Sequence, residues 1–133
     1  MKNKKLLYTG LILTGLLAGL NLVALKFYLY WPKDGLLGFD TFMHFLGGLT
    51  LGMLAAWFFN VGRRSMAGFL LVLVTVLFLG VVWELFEYVF DIAGTAGGSY
   101  WKDTIHDMVL DGIGGVAAYF WATNLAATTL PQE

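Results

Sequence analysis

Cysteine is absent from this 133-residue chain, proline occurs twice, and charged residues make up only 13%. Without cysteine, neither a disulfide framework nor a thiolate zinc site can form. Two prolines against seventeen glycines fit closely packed membrane helices better than disorder. Charge this sparse, beside 59% hydrophobic residues and a mean hydropathy of +0.74, argues against a soluble domain. A chain of this length could not hide so much apolar surface from water, so the expected solvent is lipid. The net charge of −1 identifies no partner, and nucleic acid is not expected as one.

Four segments are long enough to cross a bilayer: residues 6–25, 41–60, 67–92 and 103–126. Each meets the ~20 residues needed for ~30 Å of hydrocarbon at 1.5 Å per residue. The basic start MKNKK raises the question of a cleaved signal peptide. The apolar stretch behind it exceeds the usual ~7–15 residues and no small-x-small site follows, so an anchor is expected. The connecting pieces are short, and no linker, repeat or low-complexity tract separates a second unit. The expectation is an all-α polytopic membrane protein, a four-transmembrane-helix bundle forming one domain over 1–133.

Sidedness rests on few charges. With the N-terminus inside, Lys2, Lys4, Lys5, Arg63 and Arg64 are cytoplasmic, while Lys26, Lys33 and Lys102 lie outside. That bias puts both termini in the cytoplasm of a bacterial or archaeal cytoplasmic membrane. Tyr28, Tyr30, Trp31, Tyr100 and Trp101 would then form an outer interfacial belt.

Threading the acids through this topology gives a sharper result. Asp40 and His44 open the second segment, and Glu84, Glu87 and Asp91 close the third. Asp103, His106, Asp107 and Asp111 open the fourth. An up-down-up-down chain brings these three ends to one membrane side, whichever way it inserts. At ~100° per residue, Glu84, Glu87 and Asp91 share an arc of about 60°, Asp40 and His44 lie about 40° apart, and Asp103, Asp107 and Asp111 fan over about 80°. His106 widens the last of these stripes.

Such a cluster is costly. A carboxylate near a helix centre costs about 2.5–3.5 kcal/mol on the insertion scale. Eight acids on that side face Lys26, Lys33 and Lys102, a formal −5 with neutral histidines. Either several carboxyls hold protons or a cation sits among them. Two histidines with several carboxylates suit a divalent ion, Mg²⁺, Mn²⁺, Ca²⁺ or Zn²⁺. The candidate ligands are Asp40, His44, Glu84, Glu87, Asp91, Asp103, His106, Asp107 and Asp111. Protonated or mutually bonded acids that fix helix register are the bland alternative. An ion-coupled carrier is a further one, although four helices without an inverted repeat are few for a carrier.

Gly15/Gly19 and Gly48/Gly52 are small-xxx-small pairs, expected to pack helices closely and offering faces for a homo-oligomer. Gly47, Gly48 and Gly112 are expected to bring the backbones together around the acids. AGTAGGS, before the fourth segment, lacks P-loop spacing and is a weak phosphate-loop candidate.

The motifs DTFMHF, WELFEY and WKDTIHDMVLDGIGG resemble those of the YjdF-like inner-membrane proteins, whose function is unassigned. More distantly they resemble the VanZ-like superfamily, with its Asp-x-x-x-His helix followed by Glu- and Asp-containing helices. The likeness spans 40–115 and carries over to Asp40, His44, Glu84, Glu87, Asp103 and Asp107. The chain lacks the arginine that often precedes the aspartate in VanZ-like proteins. That superfamily's association with glycopeptide resistance implies a cell-envelope role and a membrane lipid as partner. The leading functional expectation is an outward-facing carboxylate/histidine pocket that binds a cation and, through it, a lipid or envelope head group. Alternatives are a metal-dependent hydrolase or transferase acting on a phosphate-bearing lipid, and a structural or assembly protein. Whether the chain is an enzyme is left open by its residues.

Overall fold

The computed structural model describes residues 3–27, 29, 38–90 and 100–128. Asp91 and the expected belt residues Tyr28, Tyr30 and Trp31 lie outside them. Four helices follow in order: α1 (Lys4–Phe27), α2 (Phe39–Phe58), α3 (Met66–Phe90) and α4 (Tyr100–Ala127), with no strand among the described residues. Each expected segment coincides with one helix. The protein is all-α, and its architecture is that of a membrane bundle.

Three of the helices, α1, α2 and α3, are long and apolar enough to cross a membrane. The fourth is less apolar, and its position explains why. α4 packs along α2 through Asp107, Asp111, Gly114, Gly115 and Ala118, all buried. Much of its surface meets protein rather than lipid, so it needs fewer large apolar side chains. α3 instead leaves Val74, Phe78, Val82, Leu85 and Val89 exposed, an apolar face suited to acyl chains.

Glycines set the α2–α4 distance. A methyl placed on Gly48 would run into the Asp111 backbone, and one on Gly114 would meet Phe45 O and the Leu49 amide nitrogen. On Gly52 it would come within 2.6 Å of Ala118 Cβ. The rising order of these partners, Gly48 with Asp111 and Gly52 with Ala118, makes the two helices parallel. Gly47 and Gly112 do not share this role. Added methyls there would stand 3.9 Å from Asp111 Oδ1 and 3.5 Å from Leu77 Cδ2, ordinary packing distances. Helical rotation is the reason: a neighbouring residue points ~100° away from the contact line. Gly48 and Gly52 are therefore used within the chain, whereas Gly15 and Gly19 on α1 meet nothing within 4 Å.

The turn at the opposite end of the bundle is fixed by local chemistry. Asn60 takes the left-handed conformation at φ 56°, a region asparagine tolerates better than most residues. The Asn60 and Val61 amides then donate to Trp57 O and Ala56 O, closing α2 as a Schellman motif. Ser65 Oγ accepts from the Gly68 amide and so caps α3. The Tyr119 hydroxyl of α4 accepts from the Ser65 amide at 2.6 Å and donates to Ser65 O at 2.9 Å, tying the turn to the core. Arg64 donates to Asn124 Oδ1 and lies over the Phe120 ring. These bonds anchor α2, α3 and α4 at one end, leaving the polar residues grouped at the other.

Candidate metal centre

His44 is the hub of that polar end. It lies one turn inside α2 and is 7% exposed, too deep for its ring to be solvated in the ordinary way. Its Nε2 stands 3.9 Å from Asp40 Oδ1, one turn away on α2, and 3.8 Å from Asp107 Oδ2 on α4. Its Nδ1 stands 3.5 Å from Asp111 Oδ1. One donor atom from each of Asp40, His44 and Asp107 lies within 4.8 Å of the other two.

Those distances are informative. At 3.8–3.9 Å the pairs at Nε2 are too long for hydrogen bonds. Two donors roughly 2.1 Å from a zinc-sized ion at the tetrahedral angle are about 3.4 Å apart, and neighbouring donors around a six-coordinate ion stand about 3.0–3.4 Å apart. The pairs at Nε2 are wider than that, so the three side chains would have to draw in to hold a cation. Asp111 on the other ring nitrogen matches the carboxylate–histidine–metal arrangement, in which the outer carboxylate fixes tautomer and ring orientation. His106 Nδ1 stands 3.5 Å from Asp107 Oδ1, so the second oxygen of Asp107 also has a neighbour. His106 is half-buried, as are Asp40 and Asp103 at the same end.

Sequence and packing explain why these side chains meet. Asp40 and His44 share a face by i,i+4 spacing, as do Asp107 and Asp111. The parallel packing at Gly48 and Gly114 then sets the two faces against each other. α3 closes the third side through Gly80, where a methyl would come within 2.6 Å of Asp111 Oδ2 and 3.1 Å of Met108 Sδ. The Asp111 carboxylate thus occupies room left by an absent side chain on α3.

α3 contributes Glu84, which is 5% exposed. Thr104 Oγ1 donates to Glu84 Oε2 at 2.8 Å, and the Tyr100 hydroxyl donates to Glu84 O at 3.1 Å. Glu84 Oε1 is buried and has no hydrogen-bond partner among the described residues. Glu87 differs: half-buried, it accepts from Trp83 Nε1 at 2.9 Å within its own helix. Of the nine candidate residues, Asp40, His44 and Asp107 converge directly, and Asp111 and His106 flank them. Glu84 is joined to α4, while Asp91 lies outside the described residues. Thr104 and Gly80 are not among the sequence candidates, and Tyr100, expected only in the interfacial belt, bonds to the Glu84 carbonyl instead. Gly80 precedes Glu84 by one turn, a small residue beneath an acid, and that spacing was the available signal.

Fold and cluster together define the class: an integral membrane helical bundle with a buried aspartate/histidine cluster near one end. The chain belongs to the family described as "Predicted membrane protein (DUF2238)", whose model matches residues 5–127. That membership is consistent with the YjdF-like resemblance and does not extend to the VanZ-like one. Neither the curated proteins nor the solved structures contain a match to the chain.

Proposed function

We propose that this membrane protein holds a divalent cation on Asp40, His44 and Asp107, and through it binds an anionic lipid or envelope head group. The observation that carries this is the mutual approach of three donors from two helices, with Asp111 behind the histidine. One imidazole and two carboxylates form a mixed set that suits Mn²⁺ or Zn²⁺ better than an all-oxygen calcium cage. Three protein ligands leave coordination positions for water or a phosphate oxygen. The Asp40 side chain is 35% exposed, so the free positions would be reached from the Asp40 side.

Thermal unfolding in detergent tests the cation. Protein stripped with chelator should gain stability when Mn²⁺ or Zn²⁺ is added, by about 2.7 kcal/mol at a hundred times the dissociation constant. The gain should reverse with chelator. A midpoint indifferent to both ions would overturn the proposal.

The cluster is further proposed to open on the outer side of the cytoplasmic membrane, both termini being cytoplasmic. In intact cells, cysteines introduced as Asn3→Cys and Gly62→Cys should resist an impermeant thiol reagent, while Lys102→Cys should label. The reverse pattern would invert the sidedness and turn the cluster toward the cytoplasm.

A further inference from the structure

Gly112 takes no part in the α2–α4 seam, although it stands next to Asp111 in the chain. It lines a groove between α3 and α4 instead. These two helices run antiparallel: Val76 meets Gly115, Gly80 meets Asp111 and Met108, and Glu84 meets Thr104. Gly80 and Gly115 keep that seam narrow. Beside it, Leu73 and Leu77 of α3 and Ile105 and Val109 of α4 stand as walls. Because Gly112 has no side chain, the space between the walls stays open, with a volume of about 650 Å³. The wall is hydrocarbon along its length. Thr104 carries the one hydroxyl in it, and that hydroxyl is spent on Glu84 Oε2 at 2.8 Å. Water would find no set of polar partners there. Trp101, exposed, marks the end of the groove nearest the polar cluster, where an indole suits the membrane–water interface.

Dimensions say what fits. From Thr104 to Val116 the groove runs about 18 Å by helical rise, against about 15 Å for half the hydrocarbon core of a bilayer. Its volume over that length gives a channel about 6 Å across. A helix, about 10 Å wide, is too broad to seat in it, whereas a single polymethylene chain is not. We infer that the α3–α4 groove binds one acyl chain of a bilayer phospholipid, with the head group at the Trp101 end. Packing holds the chain there, because the surrounding lipid is as apolar as the groove and supplies no hydrophobic drive. A chain in a concave wall touches protein on several sides, and one against a convex helix touches it on one. The inference concerns the tail and stands without the cation on Asp40, His44 and Asp107. It gives Gly112 a use, and Glu84 serves the groove from behind by taking the hydroxyl of Thr104 out of its wall.

Photolabelling of the full-length, chelator-treated protein in phosphatidylglycerol bilayers tests this, with a fraction of the lipid carrying a diazirine midway along one acyl chain. Adducts mapped by mass spectrometry should concentrate on Leu77, Ile105 and Val109, well above those on Ile12 and Leu22 of α1. Ile12 and Leu22 are more exposed than any of the three, so exposure alone gives the opposite order. Gly112→Phe should fill the groove. Its first carbon meets Leu77 Cδ2 at 3.5 Å, an ordinary distance, so the melting temperature should hold while the groove adducts fall to the level of α1. Wild-type labelling that follows exposure would overturn the site and leave an ordinary lipid-facing surface. A groove without adducts would overturn it too, and would mean that another protein segment covers it. Groove adducts that persist in a folded Gly112→Phe would also overturn it. If that variant does not fold, the wild-type comparison decides alone. With metal removed throughout, none of these outcomes depends on the cation site.

Discussion

Gly48→Leu should strongly destabilise the bundle, whereas Gly15→Ala should leave it intact or slightly more stable. At Gly48 even the first added carbon meets the Asp111 backbone, which no rotamer can avoid. α2 and α4 would have to separate along a contact that also includes Gly52, Gly114 and Ala118. Overpacking a well-packed core costs about 1–3 kcal/mol, and more where backbone must move. This seam joins the two most buried helices, so the upper end applies. Gly15 has nothing within 4 Å of an added carbon, and alanine there gains the ~0.5–1 kcal/mol that glycine costs in a helix interior. Thermal unfolding of the two variants in the same detergent checks the contrast. Similar midpoints would contradict the close-packed α2–α4 seam.

Asp107→Asn should abolish the response to Mn²⁺ and Zn²⁺ without destabilising the ion-free protein. Asp107 is 4% exposed, with one oxygen toward His44 and the other toward His106. Losing even an outer-shell partner of a metal ligand typically lowers affinity about 10–100-fold, and loss of a direct ligand should exceed that. In the stripped protein the sign differs, because a neutral amide removes one charge from a crowded set of acids. The amide keeps the shape of the carboxylate and relieves its repulsion from the neighbouring acids. The stripped variant should therefore melt at or above the stripped wild type, yet gain nothing from added ion. A variant that melts well below the stripped wild type would mean that Asp107 serves the scaffold.

The contrast between Glu84 and Glu87 shows how far sequence reading reaches. Four long apolar runs were visible because lipid leaves few other solutions. The meeting of Asp40, Glu84 and Asp107 at one end followed from alternating spans alone. Which acid of a helix turns inward did not follow. Glu84 and Glu87 are only about 60° apart on the helix, and a small rotation exchanges them. That rotation is set by contacts between distant residues: Gly80 on Asp111, Val76 on Gly115, Thr104 on Glu84. The same limit separated Gly48 from Gly47, and Gly114 from Gly112. The low hydropathy of α4 was legible as a need to face other helices, and its buried glycine and alanine stripe meets that need. The pairing of Asp111 with the far nitrogen of His44 depends on ring orientation, which no spacing rule supplies.

Metal content of the protein as purified bears most directly on the cation. Wild-type protein and the Asp40→Asn/Asp107→Asn double variant should be prepared without chelator, washed free of loosely held ions and analysed for elements per chain. The wild type should retain at least one equivalent of a divalent transition metal, and the double variant should retain none. Metal-free wild type that also fails to take up Mn²⁺ or Zn²⁺ on incubation would contradict the cation site and leave protonated carboxyl groups as the means by which the bundle tolerates its acids.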